Sequence, residues 1–264
     1  MKILFSILIT NFNKSNYLKK TIESCLKQSN YKNIEILVFD DCSTDNSLNV
    51  LKNYKKKISL IKNNKKKIKF GPLNQIYGCK KLLKKSKGDI IFLLDGDDYF
   101  KKNKVNLMNK YFIKNKNLKF IQDTPYSVKD KNYISLKKRK NNFSIWPRFY
   151  HTSSIVMKRS FFLNFFKNSE ENKFPNLEID ARLVIYASLQ KLFNISKKKL
   201  TIYNFDNLGI TSNYNKYTFN WWIKRKEAFD YMIIIMKRMK LKFIPGPDYY
   251  FTKLINLFIR KDKY

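Results

Sequence analysis

The sequence predicts an α/β fold, a largely parallel sheet covered by helices on both faces. Three observations carry this. Ile90-Ile91-Phe92-Leu93-Leu94 is an unbroken apolar run, as expected of a strand buried on both sides, and it ends in Asp95-Gly96-Asp97-Asp98. A second run, Ile34 to Phe39, ends in Asp40-Asp41. Around these runs, helix-periodic stretches alternate with short apolar ones through short links, which implies parallel strands. Two strands that each end in acid put a polar site at one edge of the sheet, where open α/β sheets bind ligands.

In chain order, Leu4 to Thr10 reads as the first strand. The short apolar run after Met1-Lys2 leads into Thr10-Asn11-Phe12-Asn13-Lys14, so it is not read as a secretory leader. Ser15 or Asn16 caps a helix running to about Gln28, with Leu18, Ile22, Cys25 and Leu26 inward. Ile34 to Phe39 is the second strand, and Ser43-Thr44-Asp45 opens a helix toward Tyr54. Ile58 to Ile61 is a short strand, Leu73 to Leu83 a helix, and Lys87-Gly88-Asp89 turns into the strand that ends at Asp95. Beyond residue 100 the pattern loosens. Residues 125 to 145 are polar and Lys-rich, which predicts a mobile loop. The aromatic segment Trp146 to His151 opens a new ordered stretch, Ile155-Val156-Met157 reads as a strand, and Glu178 to Arg182 leads into a helix. Asn220 opens a further helix, Pro245-Gly246-Pro247 breaks it, and Tyr249 to Ile259 is again apolar.

Three carboxylates at one strand exit repel each other unless a cation sits among them. A divalent metal carrying a phosphate-bearing ligand supplies one. The chain has neither the Gly-x-Gly-x-x-Gly turn of dinucleotide folds nor the Lys-bearing phosphate loop of nucleotide triphosphatases, so acid plus metal is left to handle phosphate. Asp180 falls at a helix N-terminus, where the macrodipole favours its ionised form; an N-terminal cap is the simpler reading of that residue alone.

The 264 residues suffice for one sizeable core, and 44% hydrophobic content describes a folded chain. A net charge of +35 suggests a nucleic-acid binder. Arg, however, occurs only at 139, 148, 159, 182, 225, 238 and 260, and the remaining positive charge is Lys spread over the whole chain. Base and phosphate readers favour the bidentate Arg fork, so specific nucleic-acid recognition is not expected, whereas attraction to anionic surfaces is. Cys25, Cys42 and Cys79 lack metal-type spacing. No stretch approaches the ~20 apolar residues needed to span a bilayer.

These residues reach a resemblance. Ser6 to Lys14, Tyr17 to Gln28, Val38-Phe39-Asp40-Asp41-Cys42-Ser43-Thr44-Asp45, Asn74, Gly88-Asp89 and Asp95-Gly96-Asp97-Asp98 resemble family 2 glycosyltransferases of the GT-A fold; Ile155 to Arg159 and Asp180-Ala181-Arg182 match more loosely. The family commonly has Gly or Asn where this chain has Cys42. The resemblance implies a Rossmann-like mixed sheet flanked by helices. Residues 1–215 would form the catalytic domain, with 1–115 as the nucleotide-sugar half and 116–215 as the acceptor half. Residues 216–264 would be a C-terminal helical extension.

It also implies roles. Thr10 and Asn13 lie beside the nucleotide, Asp41 accepts a hydrogen bond from its base, Asp95 and Asp97 hold ribose and the diphosphate-bound Mn²⁺ or Mg²⁺, and Asp98 shares the metal. Asp180 matches the catalytic base. Ile179 separates it from Glu178, whereas relatives often carry adjacent Glu-Asp, so Glu178 is the reserve. The expected reaction is inverting transfer of a hexosyl group from a nucleotide sugar, UDP-sugar favoured, to a glycan or lipid-linked acceptor in surface-polysaccharide or lipopolysaccharide synthesis. A missing Gln-x-x-Arg-Trp element points to non-processive transfer. Trp221 and Trp222 near Lys and Arg suit a membrane interface or a helical flap packed on the domain, consistent with a cytoplasmic protein peripheral to the membrane. Two alternatives stand beside this. A nucleotidyltransferase needs a Gly-rich basic loop that residues 11–16 do not supply. A non-catalytic binder of anionic surfaces or nucleic acid on a degenerate fold predicts salt-sensitive binding indifferent to metal and nucleotide sugar.

Overall fold

The computed structural model describes residues 5–29, 33–64, 70–136, 147–205 and 214–259. A seven-stranded sheet forms the centre, in the order β10-β6-β9-β4-β1-β2-β3. Here β1 is Phe5–Asn11, β2 Ile34–Asp40, β3 Ser59–Lys62, β4 Ile90–Asp95, β6 Phe120–Gln122, β9 Ile155–Lys158 and β10 Phe193–Ile195. The four strands β3, β2, β1 and β4 are parallel, as their sequence spacing predicts. β9 runs antiparallel between β4 and β6, which makes the sheet mixed.

The apolar runs become strands because both faces of the sheet are covered. On one face Ile7, Ile9, Val38 and Phe92 pack with Leu18 and Ile22 of α1 (Ser15–Leu26) and Met108 of α4 (Lys104–Lys114). On the other, Leu8, Leu37 and Leu93 pack with Leu82 of α3 (Gly71–Lys85), Phe162 of α5 (Arg159–Asn168) and Val184 of α6 (Ile179–Leu189). α7 (Phe219–Arg238) adds Phe229, Tyr231, Met232 and Ile235 to this second core, so the C-terminal extension shares its hydrophobic centre with the sheet. α8 (Pro247–Phe258) then folds back along α7.

Two expectations need correction. The helix expected from Ser43 begins at Ser47 (α2, Ser47–Lys52), because the Asp45 carboxylate accepts a hydrogen bond from Ser47 N and holds the preceding residues as a loop. The expected mobile loop over 125–145 contains two strands, β7 (Pro125–Ser127) and β8 (Asn132–Tyr133). They join β5 (Tyr99–Phe100) and β11 (Thr201–Tyr203) in a second sheet, ordered β5-β11-β7-β8. The order of β7 comes from a partner 76 residues away in sequence, with Pro125–Ser127 registered on Thr201–Tyr203, and β8 in turn pairs with β7; local composition carries no trace of that. Residues 137–146, Trp146 among them, lie outside the described residues.

A buried ion pair joins the two sheets. Lys104 Nζ lies 2.8 Å from Asp123 Oδ2 with both side chains fully buried, and it also donates to Thr201 Oγ1 at 2.6 Å and Ser153 O at 2.7 Å. Burial pushes Lys104 down and Asp123 up, and their mutual attraction opposes both shifts. Removing one partner strands the other charge in the interior. Lys104→Met is therefore expected to cost about 3–5 kcal/mol in urea unfolding, with much of that recovered in Lys104→Met/Asp123→Leu.

Candidate active site

The register of three parallel strands gathers the acids. Thr10 pairs with Asp95 across β1 and β4, and Asn11 pairs with Asp40 across β1 and β2. All three strands therefore end on one line. The ladders extend one bond past it, with Gly96 N donating to Thr10 O at 2.9 Å and Asp41 N to Asn11 O at 2.9 Å, and the chain after β4 then turns, with Asp98 N donating to Asp95 O at 3.1 Å. A Cβ at Gly96 would fall 2.6 Å from Asn11 Oδ1, so a larger residue there would displace the Asn11 side chain. Thr21 Oγ1 of α1 donates to Gly96 O at 2.9 Å and pins the turn from the helix side.

The first acid pair divides its labour. Asp40 is buried and works within the fold. It accepts from Asn11 Nδ2 at 2.8 Å, Ser43 Oγ at 2.7 Å and Ser43 N at 3.1 Å, closing the loop 41–45. Asp41 accepts from Asn63 Nδ2 at 2.9 Å. Beside it is a cleft of about 320 Å³ lined by Asp40, Cys42, Ser43, Leu48, Lys62 and Asn63, among others. Asn13 stands on the opposite wall of this loop, with Oδ1 accepting from Thr44 N at 2.8 Å. Asn13 and Cys42 both have positive φ, 51° and 58°. This explains the residue types at both places: Asn tolerates the left-handed region, and position 42 is one where Gly or Asn relieves strain. Cys42 is held there by Sγ donating to Asn63 O at 2.9 Å.

The second acid cluster is crowded. Asp95 Oδ1 accepts from Gln75 Nε2 at 2.8 Å and from Thr10 Oγ1 at 3.2 Å, and Asp95 N donates to Ser153 Oγ at 3.0 Å. Burial, then the charges of Asp97 and Asp180, push the Asp95 carboxyl up to about 7. Asp97 Oδ2 lies 2.8 Å from Lys14 Nζ. Asp98 turns inward. It is fully buried, its Oδ1 accepts from Asn204 N at 2.8 Å, and its Oδ2 has no hydrogen-bond partner among the described residues. Burial and the charges of Asp97 and Asp95 raise it well above the carboxylate range. The expectation that Asp98 shares a metal with Asp97 meets this placement: the buried carboxyl is engaged with Asn204, while Asp97 is the one already facing a cation.

Asp180 arrives from the other half of the chain, in the first turn of α6, with Glu178 as the residue before the helix. Burial and the neighbouring Glu178 push Asp180 up to about 7, and Lys224 of α7 opposes them. Lys224 is ion-paired with Glu178. The approach to this turn is fixed by Arg182, fully buried, whose guanidinium donates to the carbonyls of Glu170, Lys173, Phe174 and Leu177. The charge of Asp180 reaches Asp95, so the two acids expected from distant parts of the chain share one electrostatic site.

Over the cluster, His151 stacks on Tyr203 with ring centroids 3.7 Å apart. Tyr203 is raised by burial and by the charges of Asp98, Asp97, Asp95 and Asp180, which places it at the same site. Burial pushes His151 down to about 4, so it is neutral near pH 7. Sequence reasoning missed Lys14, Asn63, Gln75, Ser153, Tyr203, Asn204 and Lys224. Lys14 carried a local signal, adjacent to the turn residue Asn13. The others come from distant segments and have none.

Among the described residues, no three carboxylate, imidazole or thiol side chains converge to cage a metal ion. The donor set fits an ion held through few protein carboxylates and completed by phosphate oxygens and water, as Mg²⁺ sites often are. Asp97 supplies an accessible carboxylate already paired with a cation, and the mutual repulsion that raises Asp95 is what a divalent charge relieves. At Cys42, replacement by Gly is expected to stabilise the fold by about 1 kcal/mol in urea unfolding, because the left-handed cost exceeds one thiol hydrogen bond.

The family model described as "Glycosyl transferase family 2" matches residues 6–170. Among sequence relatives, the Escherichia coli UDP-Glc:alpha-D-GlcNAc-diphosphoundecaprenol beta-1,3-glucosyltransferase WfaP is 37% identical over 128 residues, 48% of this chain and 48% of the relative. A Haemophilus influenzae protein described as an uncharacterized glycosyltransferase is 35% identical over 114 residues, 42% of this chain and 43% of the relative. The match thus spans less than half the length of these curated relatives. Among solved structures, Staphylococcus aureus TarS 1–349 with UDP-GlcNAc superposes with a TM-score of 0.65 at 15% identity, covering 96% of this chain and 70% of that one. The mannosyltransferase PcManGT from Pyrobaculum calidifontis, with GDP-Man and Mn²⁺, gives 0.61 at 11% identity, covering 98% and 71%. At such identities the structural likeness speaks to the fold, which is GT-A: a mixed sheet flanked by helices. With the family match running from β1 through α5, the chain belongs to glycosyl transferase family 2.

Proposed function

We propose that the protein is an inverting, metal-dependent glycosyltransferase. It moves a single hexosyl group from a nucleotide-diphosphate sugar, UDP-sugar favoured, to an acceptor hydroxyl in bacterial cell-surface polysaccharide synthesis. One observation supports this reading: at the sheet edge where Thr10 donates to Asp95, the charges of Asp97 and Asp180 both act on that carboxyl, and the adjoining strand β2 runs into a cleft bordered by Asp40, Cys42 and Asn63. The names of the relatives support the donor class, since WfaP is named for UDP-Glc and the TarS structure holds UDP-GlcNAc.

In this reading Asp41, steadied by Asn63, accepts a hydrogen bond from the base, and Asn13 with the loop 43–45 borders it. Thr10 and Asp95 meet the ribose. Asp97 holds the divalent cation, Mn²⁺ or Mg²⁺, with Lys14 adding positive charge next to the diphosphate. When bound, the metal offsets the charge that develops on the departing diphosphate. Asp98 fixes the turn through Asn204. Asp180 takes the proton from the acceptor hydroxyl as its oxygen attacks the anomeric carbon, while the C–O bond to the diphosphate breaks on the opposite side. That single displacement inverts the configuration. A carboxyl near 7 suits a general base at neutral pH, an effect worth roughly 10²–10⁴-fold.

Because the base acts when deprotonated, donor turnover is expected to rise with pH through about 7. Glu178 raises Asp180 and Lys224 lowers it. Glu178→Gln should therefore move the kcat/KM midpoint to lower pH, Lys224→Met should move it higher, and Asp180→Asn should abolish turnover at every pH.

The binding half is tested by thermal unfolding with UDP, dTDP, GDP and CDP, each with and without Mn²⁺. One nucleotide should stabilise the wild type in a metal-dependent way, by about 2–3 kcal/mol at a hundredfold excess over Kd, and Asp97→Ala should lose this. Indifference to every nucleotide together with salt-sensitive stabilisation by DNA would favour the degenerate binder instead.

A further inference from the structure

We propose that α8, with the start of α7, is an interfacial anchor that lies on an anionic lipid bilayer. α8 runs antiparallel to α7 and turns its polar residues inward. Thr252 is buried and accepts from Arg225 Nε at 3.0 Å, Asp248 Oδ2 accepts from Arg225 at 3.1 Å, and Asn256 Nδ2 donates to Trp222 O at 3.0 Å. Tyr249 supplies the inward aromatic contact, 5.3 Å from Phe229. The outward face is apolar: Tyr250, Phe251, Leu254, Leu257 and Phe258 are between 51% and 79% exposed. A helix that faces water has the opposite arrangement. A contiguous apolar face of this kind marks an interaction surface.

The neighbours of that face identify the occupant. Phe251 stacks edge-on against Trp222 with centroids 5.6 Å apart, Trp222 against Trp221 at 4.6 Å, and Tyr217 against Trp221 at 5.4 Å. Aromatic residues of this type favour the headgroup level of a bilayer. Ile244, 71% exposed, extends the apolar surface from the other end of α8. Around it, Lys216, Lys240, Lys242 and Lys253 are exposed, and residues 214–259 hold nine Lys or Arg against three Asp or Glu. An apolar face rimmed by Lys matches the acyl boundary and phosphate layer of an anionic membrane, whereas a second copy of this basic chain would repel the rim. No described helix is long and apolar enough to cross a membrane, so α8 lies in the interface plane.

The anchor also borders the reaction. Lys224, one turn from Trp221, pairs with Glu178 beside Asp180. A bilayer under α8 thus places lipid headgroups on the side of the proposed base, where a lipid-linked acceptor hydroxyl would enter. Vesicle binding itself stands apart from the transferase reading, because it requires neither nucleotide nor metal.

The test is co-sedimentation of the full chain with vesicles of phosphatidylcholine, alone or mixed with phosphatidylglycerol. Binding is expected to the mixed vesicles and to be weak on phosphatidylcholine. Leu254→Glu/Leu257→Glu, both exposed positions, should lower partitioning more than about tenfold with circular dichroism unchanged. Lys240→Glu/Lys242→Glu should weaken binding to the mixed vesicles alone. Binding that survives the leucine pair, or that vanishes with salt regardless of it, would reduce the effect to net charge and overturn the proposal. So would failure to bind either vesicle, with sedimentation equilibrium showing a dimer that the same leucine substitutions dissociate.

Discussion

Negative charge confined at the end of a sheet sets the terms for the rest of the molecule. Asp95, Asp97, Asp98 and Asp180 share one poorly solvated region, and each raises the cost of ionising another. The surrounding structure is a set of answers to that repulsion. Lys14 meets Asp97, Lys224 meets Glu178, and Lys104, next to Asp98 in the interior, is itself balanced by Asp123. Gln75 and Thr10 contribute hydrogen bonds to Asp95, and Asn204 one to Asp98. Remove the acids and most of these polar residues lose their reason to be inside.

The same charge explains how distant segments come to lie together. Ser153 accepts from the backbone N–H of Asp95 on its hydroxyl and from Lys104 on its carbonyl, and so ties the approach to β9 to the end of β4. Thr201 donates to Asp123 and joins the second sheet to that tie. Asn204 then continues from β11 to Asp98. α7 closes the arrangement by packing Tyr231 and Met232 into the core while sending Lys224 to Glu178. The segment that carries Asp95 and the segment that carries Asp180 are one connected network.

Much of this was legible in the sequence, and the limit has a physical cause. The strands β1, β2 and β4 are apolar runs because both their faces are covered, so composition alone marks them. The acids at their ends were visible for the same reason, since the parallel register follows from short strand–helix links. Where stability comes from long-range pairing, the signal fades. β7 and β8 look like polar loop because they are short and ordered by pairing, β7 on the distant β11 and β8 on β7. Sequence gives the adjacency of Asp97 and Asp98 but not their directions: past the end of β4 the chain turns, leaving Asp97 beside Lys14 and Asp98 buried against Asn204. Cys42 carried a departure from the family pattern whose meaning emerged only with its positive φ.

One aromatic pair has a diagnostic consequence. The chain contains a single histidine, and it is His151, stacked on Tyr203 and held near 4 by burial. An ionisation seen near neutrality would ordinarily be credited to imidazole. Here burial and neighbouring charge raise the Asp95 and Asp180 carboxyls to about 7, which brings them into that range. Imidazole and carboxyl are separable by heat. Imidazole releases its proton with a substantial enthalpy and a carboxyl with almost none, so the midpoint of the titration should stay nearly fixed as temperature changes.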